Sequence, residues 1–149
     1  MTNRPSLEEH RAIEDAVLDY LDAVDAMNDL DVMTGCFTED ATLDLTGLDL
    51  GTYEGSDAIR GFFAQVFKSV THHMHMMTNF RVTEYDGDRS RIHAYICGMA
   101  HSAEGVDIQV YVYYDLRLRR TAKGWKISYF YEAPQLPMPA TVGQVHKSN

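Results

Sequence analysis

The stretch that predicts the fold most clearly is Arg89-Ser90-Arg91-Ile92-His93-Ala94-Tyr95-Ile96-Cys97-Gly98-Met99-Ala100-His101. From Ile92 onward, small or branched apolar residues alternate with histidine, tyrosine, cysteine and methionine. An alternation with a period of two is typical of a β-strand that turns one face toward a core. The sequence therefore predicts a long strand over Arg89–His101.

Similar alternation on both sides of this stretch predicts a meander of antiparallel strands. The additional strands are predicted over His73–Glu84, Val106–Arg120 and Trp125–Glu132. Turn signals separate them at Asp86-Gly87-Asp88, Glu104-Gly105 and Lys123-Gly124. One shorter strand is predicted earlier in the chain, over Ala41–Thr46.

The N-terminal half has the apolar spacing of helices instead. One amphipathic helix is predicted from Ser6 to Asn28, and Asp29 can cap a short second helix over Leu30–Cys36. A third helix is predicted to begin with Ser56 as its N-cap. Helices followed by a strand meander predict an α+β domain over residues 1–133, with the helices on one face of a curved sheet. The tail, residues 134–149, contains three prolines and is predicted to be extended and only partly ordered.

Composition excludes several classes of function. The chain has 149 residues, 45% of them apolar, and a formal net charge of -9, which disfavours binding to nucleic acid. No apolar run is long enough for a membrane span, and the N-terminus lacks the apolar core of a signal peptide. Two cysteines without C-x-x-C spacing favour a reduced, cytoplasmic location. Because no nucleotide-binding glycine motif is present, no cofactor is predicted.

Asp25 and His75 are the best candidates for catalysis. Asp25 lies among apolar residues near the end of the first predicted helix, and His75 lies among methionines on a predicted strand. A carboxylate can fix the tautomer of an imidazole and stabilise the imidazolium that forms when the ring takes a proton. The alternative is a half-exposed aspartate at a helix end and a histidine without a catalytic role.

His73 suggests an alternative function for the same strand, namely a metal site. It shares a predicted face with His75, Met77 and Asn79, so two imidazoles could point at one metal ion. No third ligand stands at a suitable spacing nearby, and we therefore predict no metal.

The odd-numbered face of the strand over Arg89–His101 has two interpretations. Soft apolar groups mixed with His and Tyr suit a ligand cavity, but they also suit a sheet face covered by a subunit partner. We predict substrate contacts for five residues of this and the other strands, namely Met77, Tyr95, Cys97, Tyr113 and Tyr129. Because tyrosine and methionine on the outer sheet face would expose a large apolar patch, we also predict a homo-oligomer.

Several motifs together resemble a known family. They are Asp31-Val32-Met33, Cys36-Phe37-Thr38-Glu39-Asp40-Ala41, Tyr53-Glu54-Gly55-Ser56-Asp57-Ala58-Ile59 and Gly124-Trp125-Lys126-Ile127. Over about residues 6–133 the chain resembles the SnoaL-like branch of the NTF2-like superfamily. The resemblance implies a cone-shaped α+β (cystatin-like) fold. This fold hosts isomerases, dehydratases, cyclases, hydrolases and non-catalytic subunits, so it does not decide function.

The site residues are most similar to those of scytalone dehydratase and hexachlorocyclohexane dehydrochlorinase. The resemblance implies that His75 abstracts a proton from carbon while Asp25 orients it, and that His101 or Tyr95 assists the leaving group. It also implies a trimer, although dimers are common elsewhere in the superfamily. We expect a cofactor-independent lyase for a small apolar or cyclic substrate. The alternatives are an isomerase or cyclase resembling ketosteroid isomerase, and a non-catalytic binding or assembly module.

Overall fold

The computed structural model describes residues 3–146 as a six-stranded sheet with helices packed against it. In chain order the elements are α1 (Leu7–Ala26), α2 (Leu30–Thr34), β1 (Phe37–Asp44), a 3-10 turn (Thr46–Leu48), β2 (Thr52–Glu54), α3 (Ser56–Ser69), β3 (Val70–Tyr85), β4 (Arg89–Ser102), β5 (Asp107–Thr121), β6 (Gly124–Pro134) and α4 (Thr141–His146).

The strands are ordered β2-β1-β6-β5-β4-β3, and all neighbours are antiparallel except β1 and β6. Helix α1 packs on β3 and β6, and α3 packs on β1, β2 and β3. The core lies between these helices and the inner face of the curved sheet, where β4 contributes Ile92, Ala94 and Ile96. The predicted α+β class, with helices on one face of a mostly antiparallel sheet, is confirmed.

Local sequence accounts for where the helices begin. The Ser6 hydroxyl accepts a hydrogen bond from the backbone N–H of Glu9, and the Asp29 carboxylate accepts from Asp31 and Val32. These bonds satisfy N–H groups that have no partner within the helix. The prediction that Ser56 caps α3 was wrong by one residue. The N-cap is Gly55, whose φ of 85° is accessible to glycine at little cost.

Two β-bulges change which side chains reach the inner face. In β3 the register shifts between Thr78 and Arg81, and Asn79 adopts a φ of 56°. Phe80 therefore packs against the core and Asn79 is exposed, which corrects the prediction that Asn79 shares a face with His75. In β6 a second shift inserts Ser128 as an extra residue, since Leu118 pairs with Ile127 and Arg117 with Tyr129.

The C-terminal segment is more ordered than predicted. Instead of remaining extended throughout, the chain after β6 forms helix α4, whose Val142 and Val145 are buried. Both join a small second cluster of apolar residues with Val66 and Val70. Among residues 3–146, no helix combines the length and the hydrophobicity that crossing a bilayer would require.

Candidate active site

Asp25 and His75 are in direct contact. Nδ1 of His75 lies 2.6 Å from Oδ1 of Asp25, and the backbone N–H of His75 donates to Oδ2 at 3.0 Å. Two donors from one residue fix the carboxylate, and a carboxylate at Nδ1 places the proton on that nitrogen. In the neutral ring the other nitrogen, Nε2, then carries the lone pair that can accept a proton. Both side chains are largely covered, with 13% of His75 and 23% of Asp25 exposed.

Gly98 keeps the space beside Nε2 open. It is the cross-strand partner of His75 on β4. A Cβ atom at this position would lie 3.4 Å from Cδ2 and 3.5 Å from Nε2 of His75, and 3.1 Å from Val110. Any side chain at position 98 would therefore occupy space in front of the basic nitrogen.

A cavity of about 100 Å³ lies beside the His75 ring. Its walls are mostly apolar, with contributions from α1, α3 and the inner face of the sheet. The segment after β6 closes one side with Met138, Val142 and His146, so this part of the chain helps to form the site. An apolar cavity with a few polar groups is typical of a small-molecule site.

His73 is a second imidazole in the cavity wall. Its ring centroid lies 4.6 Å from that of His75, and its buried Nδ1 has no hydrogen-bond partner among the described residues. Burial, with a smaller contribution from His75, lowers the pKa of His73 to about 4. The ring is therefore neutral at pH 7.

Asp25, His73 and His75 also form a group of potential metal ligands. One donor atom from each lies within 4.8 Å of the others. Asp25, which approaches from a distant part of the chain, thus supplies the third donor that the spacing along the strand does not. An ion on Nδ1 of His75 would have to displace the 2.6 Å contact with Asp25, so the observed geometry favours the hydrogen-bonded pair.

Three further polar side chains line the cavity, and the sequence pattern did not identify them. They are Tyr20 on α1, Tyr114 on β5 and Glu132 on β6. Burial raises the pKa of both tyrosines well above its ordinary value, so their hydroxyls stay protonated. Burial also raises the pKa of the Glu132 carboxyl to about 8. Simple alternation along β6 favours Tyr131, and only the bulge at Ser128 turns Glu132 inward.

Most of the other predicted site residues lie outside this cavity. His101 is exposed near the end of β4, where its Nδ1 lies 2.6 Å from Asp107. Tyr95 and Cys97 belong to the outer face of β4, because the even-numbered residues face the core. The structure therefore does not bring His101, Tyr95 or Cys97 together with His75 in one pocket.

Met77, Tyr113 and Tyr129 are likewise absent from the cavity wall as described. Met77 is on the inner face but packs against the core. Tyr113 stacks on His93 on the outer face, and the Tyr129 hydroxyl donates to Asp44 at 2.6 Å. Strand alternation turns Tyr113 away from His75, and the β6 bulge does the same for Tyr129. Contact of these residues with a substrate stays a prediction.

The outer face of the sheet carries exposed apolar side chains. We call Met74, Met76, Tyr95 and Tyr111 the outer patch; each is between 38% and 50% exposed. This placement fits the second interpretation of the odd-numbered face of β4, a surface for a partner.

Residues 5–131 match the family model of the SnoaL-like domain. The chain therefore belongs to the SnoaL-like domain family, and the resemblance seen in the sequence is confirmed. A comparison with curated proteins finds no match.

Solved structures with the same fold include enzymes. A candidate aromatic ring hydroxylase from Novosphingobium aromaticivorans is 38% identical, with a TM-score of 0.89 over 91% of this chain and 95% of its own. A candidate scytalone dehydratase from the same organism is 18% identical, with a TM-score of 0.79 over 87% and 86%. A hexachlorocyclohexane dehydrochlorinase from Novosphingobium barchaimii is 21% identical, with a TM-score of 0.75 over 90% and 92%. The last two likenesses show the shared fold.

Proposed function

We propose that this protein is a cofactor-independent lyase in which His75 removes a proton from carbon and Asp25 supports it. One observation carries the proposal. The 2.6 Å contact at Nδ1 leaves Nε2 as a base, and Gly98 leaves that nitrogen open beside an apolar cavity.

The chemistry follows from this arrangement. Nε2 of His75 accepts the proton of a substrate C–H bond, and the Asp25 carboxylate stabilises the imidazolium. The C–H electron pair forms the new double bond as the leaving group departs with its own pair. A positioned general base contributes about 10²–10⁴-fold to such a rate. Because the walls of the cavity are mostly apolar, charge interactions inside it are stronger than in solution.

The size and the apolar walls of the cavity favour a small apolar or cyclic substrate. The cavity volume, about 100 Å³, is comparable with the roughly 150 Å³ apolar cavities that accept benzene. The folds of a candidate dehydratase and a dehydrochlorinase match this one, which supports an elimination reaction.

Proton abstraction can be tested without knowledge of the natural substrate. The protein is incubated with small cyclic ketones in D₂O, and deuterium uptake at the carbon next to the carbonyl is followed by mass spectrometry. We expect Asp25→Asn and His75→Gln to reduce the catalysed exchange by about 10²-fold or more. In Asp25→Asn the amide no longer holds the reactive tautomer or compensates the imidazolium charge.

The chain provides a matched control for this experiment. His101 and Asp107 form a pair with the same 2.6 Å contact, but on the exposed end of the sheet. Asp107→Asn should therefore leave the exchange rate unchanged. Full activity in Asp25→Asn would refute the proposal. If the protein catalyses exchange but eliminates from no ketone that bears a leaving group, an isomerase is favoured. If the folded protein catalyses no exchange, a binding role is favoured.

A further inference from the structure

Glu132 is a carboxyl group inside the cavity, at the wall formed by β6. It pairs with Tyr114 of β5 through the sheet, and the 3-10 turn packs closely on it. A Cβ atom on Gly47 would lie only 2.4 Å from the carbonyl oxygen of Glu132, so glycine is required there for this approach. The backbone of Glu132 is thus held in place from two sides.

The Glu132 carboxyl has no partner that would favour its charged form. Within residues 3–146, no hydrogen bond or ion pair joins it to another side chain, and no lysine or arginine lines the cavity. The other titratable groups that line the cavity are Tyr20 of α1, His73 and His75 of β3, Tyr114 of β5 and His146 of α4. Asp25 of α1 reaches this group through its contact with His75. An ionised carboxyl without a cation is costly in such surroundings, so the group is un-ionised at neutral pH.

We propose that Glu132 is the general acid of the site, which protonates an oxygen leaving group, so that the substrate is a small hydroxyl-bearing compound and the reaction is a dehydration. This inference rests on the proposed function of Asp25 and His75. It deepens that function by specifying the group that leaves.

The proposed dehydration uses His75 as the base and Glu132 as the acid. His75 Nε2 takes the proton from carbon, and the C–H electron pair forms the carbon–carbon double bond. The C–O bond on the adjacent carbon breaks with its electron pair on oxygen, which takes the Glu132 proton and leaves as water. Transfer of a proton from the His75 imidazolium to the Glu132 carboxylate, through solvent that enters as product leaves, restores the starting state.

Glu132 is the best proton donor that the cavity offers. Tyr20 and Tyr114 are much weaker acids, because burial raises the pKa of each well above its ordinary value. His73 and His146 are neutral, because burial lowers the pKa of both rings. A hydroxyl leaves readily only when protonated, whereas chloride leaves as a weak base without a proton. A carboxyl group that stays un-ionised in the cavity therefore favours a hydroxyl over a halogen.

The protonation state of Glu132 can be measured without a substrate. Infrared spectra of the full-length protein are recorded from pH 5 to pH 10, for wild type and Glu132→Gln. We expect the wild type at pH 7 to show the carbonyl band of a protonated carboxyl. This band should be missing from Glu132→Gln and unchanged in Glu104→Gln, which alters an exposed carboxyl. Absence of the band from wild type at pH 7 would overturn the assignment.

The acid role is tested with a matched pair of substrates, 3-hydroxycyclohexanone and 3-chlorocyclohexanone. We expect Glu132→Gln to slow elimination from the hydroxy ketone by about 10²–10⁴-fold and to slow elimination from the chloro ketone far less, because chloride leaves without a proton. An equal loss on both ketones would show that Glu132 is structural and overturn the acid role, as would no loss on either.

Failure of the proposed function gives a different pattern. In that case Asp25→Asn eliminates from both ketones as fast as wild type, or wild type accelerates neither, whatever the infrared band shows. Such a result would refute both the acid role of Glu132 and the base role of His75. Thermal unfolding of each variant verifies that the compared proteins are folded.

Discussion

Replacement of Glu132 by glutamine should change how the stability of the protein depends on pH. The carboxyl has an ordinary pKa of 4.5 and a pKa of about 8 in the folded protein, because burial disfavours its charge. Between these values the folded state binds one more proton than the unfolded state. The contribution of Glu132 to the free energy of unfolding therefore falls as the pH rises from 4.5 to 8. It is constant below and above that range.

The size of the effect follows from the shift. A difference of one pH unit corresponds to about 1.4 kcal/mol, so the full window amounts to on the order of 5 kcal/mol. This is a large part of the roughly 5–15 kcal/mol by which a domain is usually stable. Glutamine carries no titrating proton and keeps the shape of the side chain. We therefore expect Glu132→Gln to gain stability relative to wild type as the pH increases across this window.

Urea unfolding at a series of pH values between 5 and 9 measures this difference. Subtracting the wild-type curve from the variant curve removes the contributions of groups that the two proteins share. His73 is one such group: its lowered pKa makes stability rise with pH between about 4 and 6.5 in both proteins. The exposed Glu104→Gln serves as the control and should run parallel to wild type. Parallel curves for Glu132→Gln and wild type would refute the burial of an un-ionised carboxyl.

Three further predictions concern the site and the sheet. Gly98→Ala should reduce deuterium exchange into ketones by about tenfold, a part of the roughly 10²–10⁴-fold contribution of a positioned base, because its methyl group would lie 3.5 Å from Nε2 of His75. Gly61→Ala on the open side of α3 is the control, which should retain exchange and gain about 0.5–1 kcal/mol of stability. His73 should remain neutral down to about pH 4 in an NMR titration of the imidazole protons, and a midpoint near 6.5 would contradict its burial. Light scattering should find a homo-oligomer, a trimer or a dimer, and Tyr95→Lys in the outer patch should shift it toward monomer; a monomeric wild type would disprove this prediction.

Patterns of short range in the sequence determine the fold. The alternation over Arg89–His101 and the turns at Gly87, Gly105 and Gly124 predict the long strands, and those glycines adopt positive φ angles in the structure. Ser6 and Asp29 mark helix starts through hydrogen bonds within a few residues of the chain. Asp25 and His75 were also recognisable in the sequence, since each is a titratable residue in an apolar segment.

Tertiary structure decides which side chains share the cavity. The contact between Asp25 and His75 joins residues 50 positions apart, and no local pattern specifies its 2.6 Å distance. The bulge at Ser128 reverses the alternation of β6, which places Tyr129 outside and Glu132 inside. A one-residue shift moves every later side chain of a strand to the other face, so alternation alone does not give the orientation of Tyr129. Burial and proximity, which arise only when the sheet closes around the cavity, then set the proton affinity of Glu132 and His73.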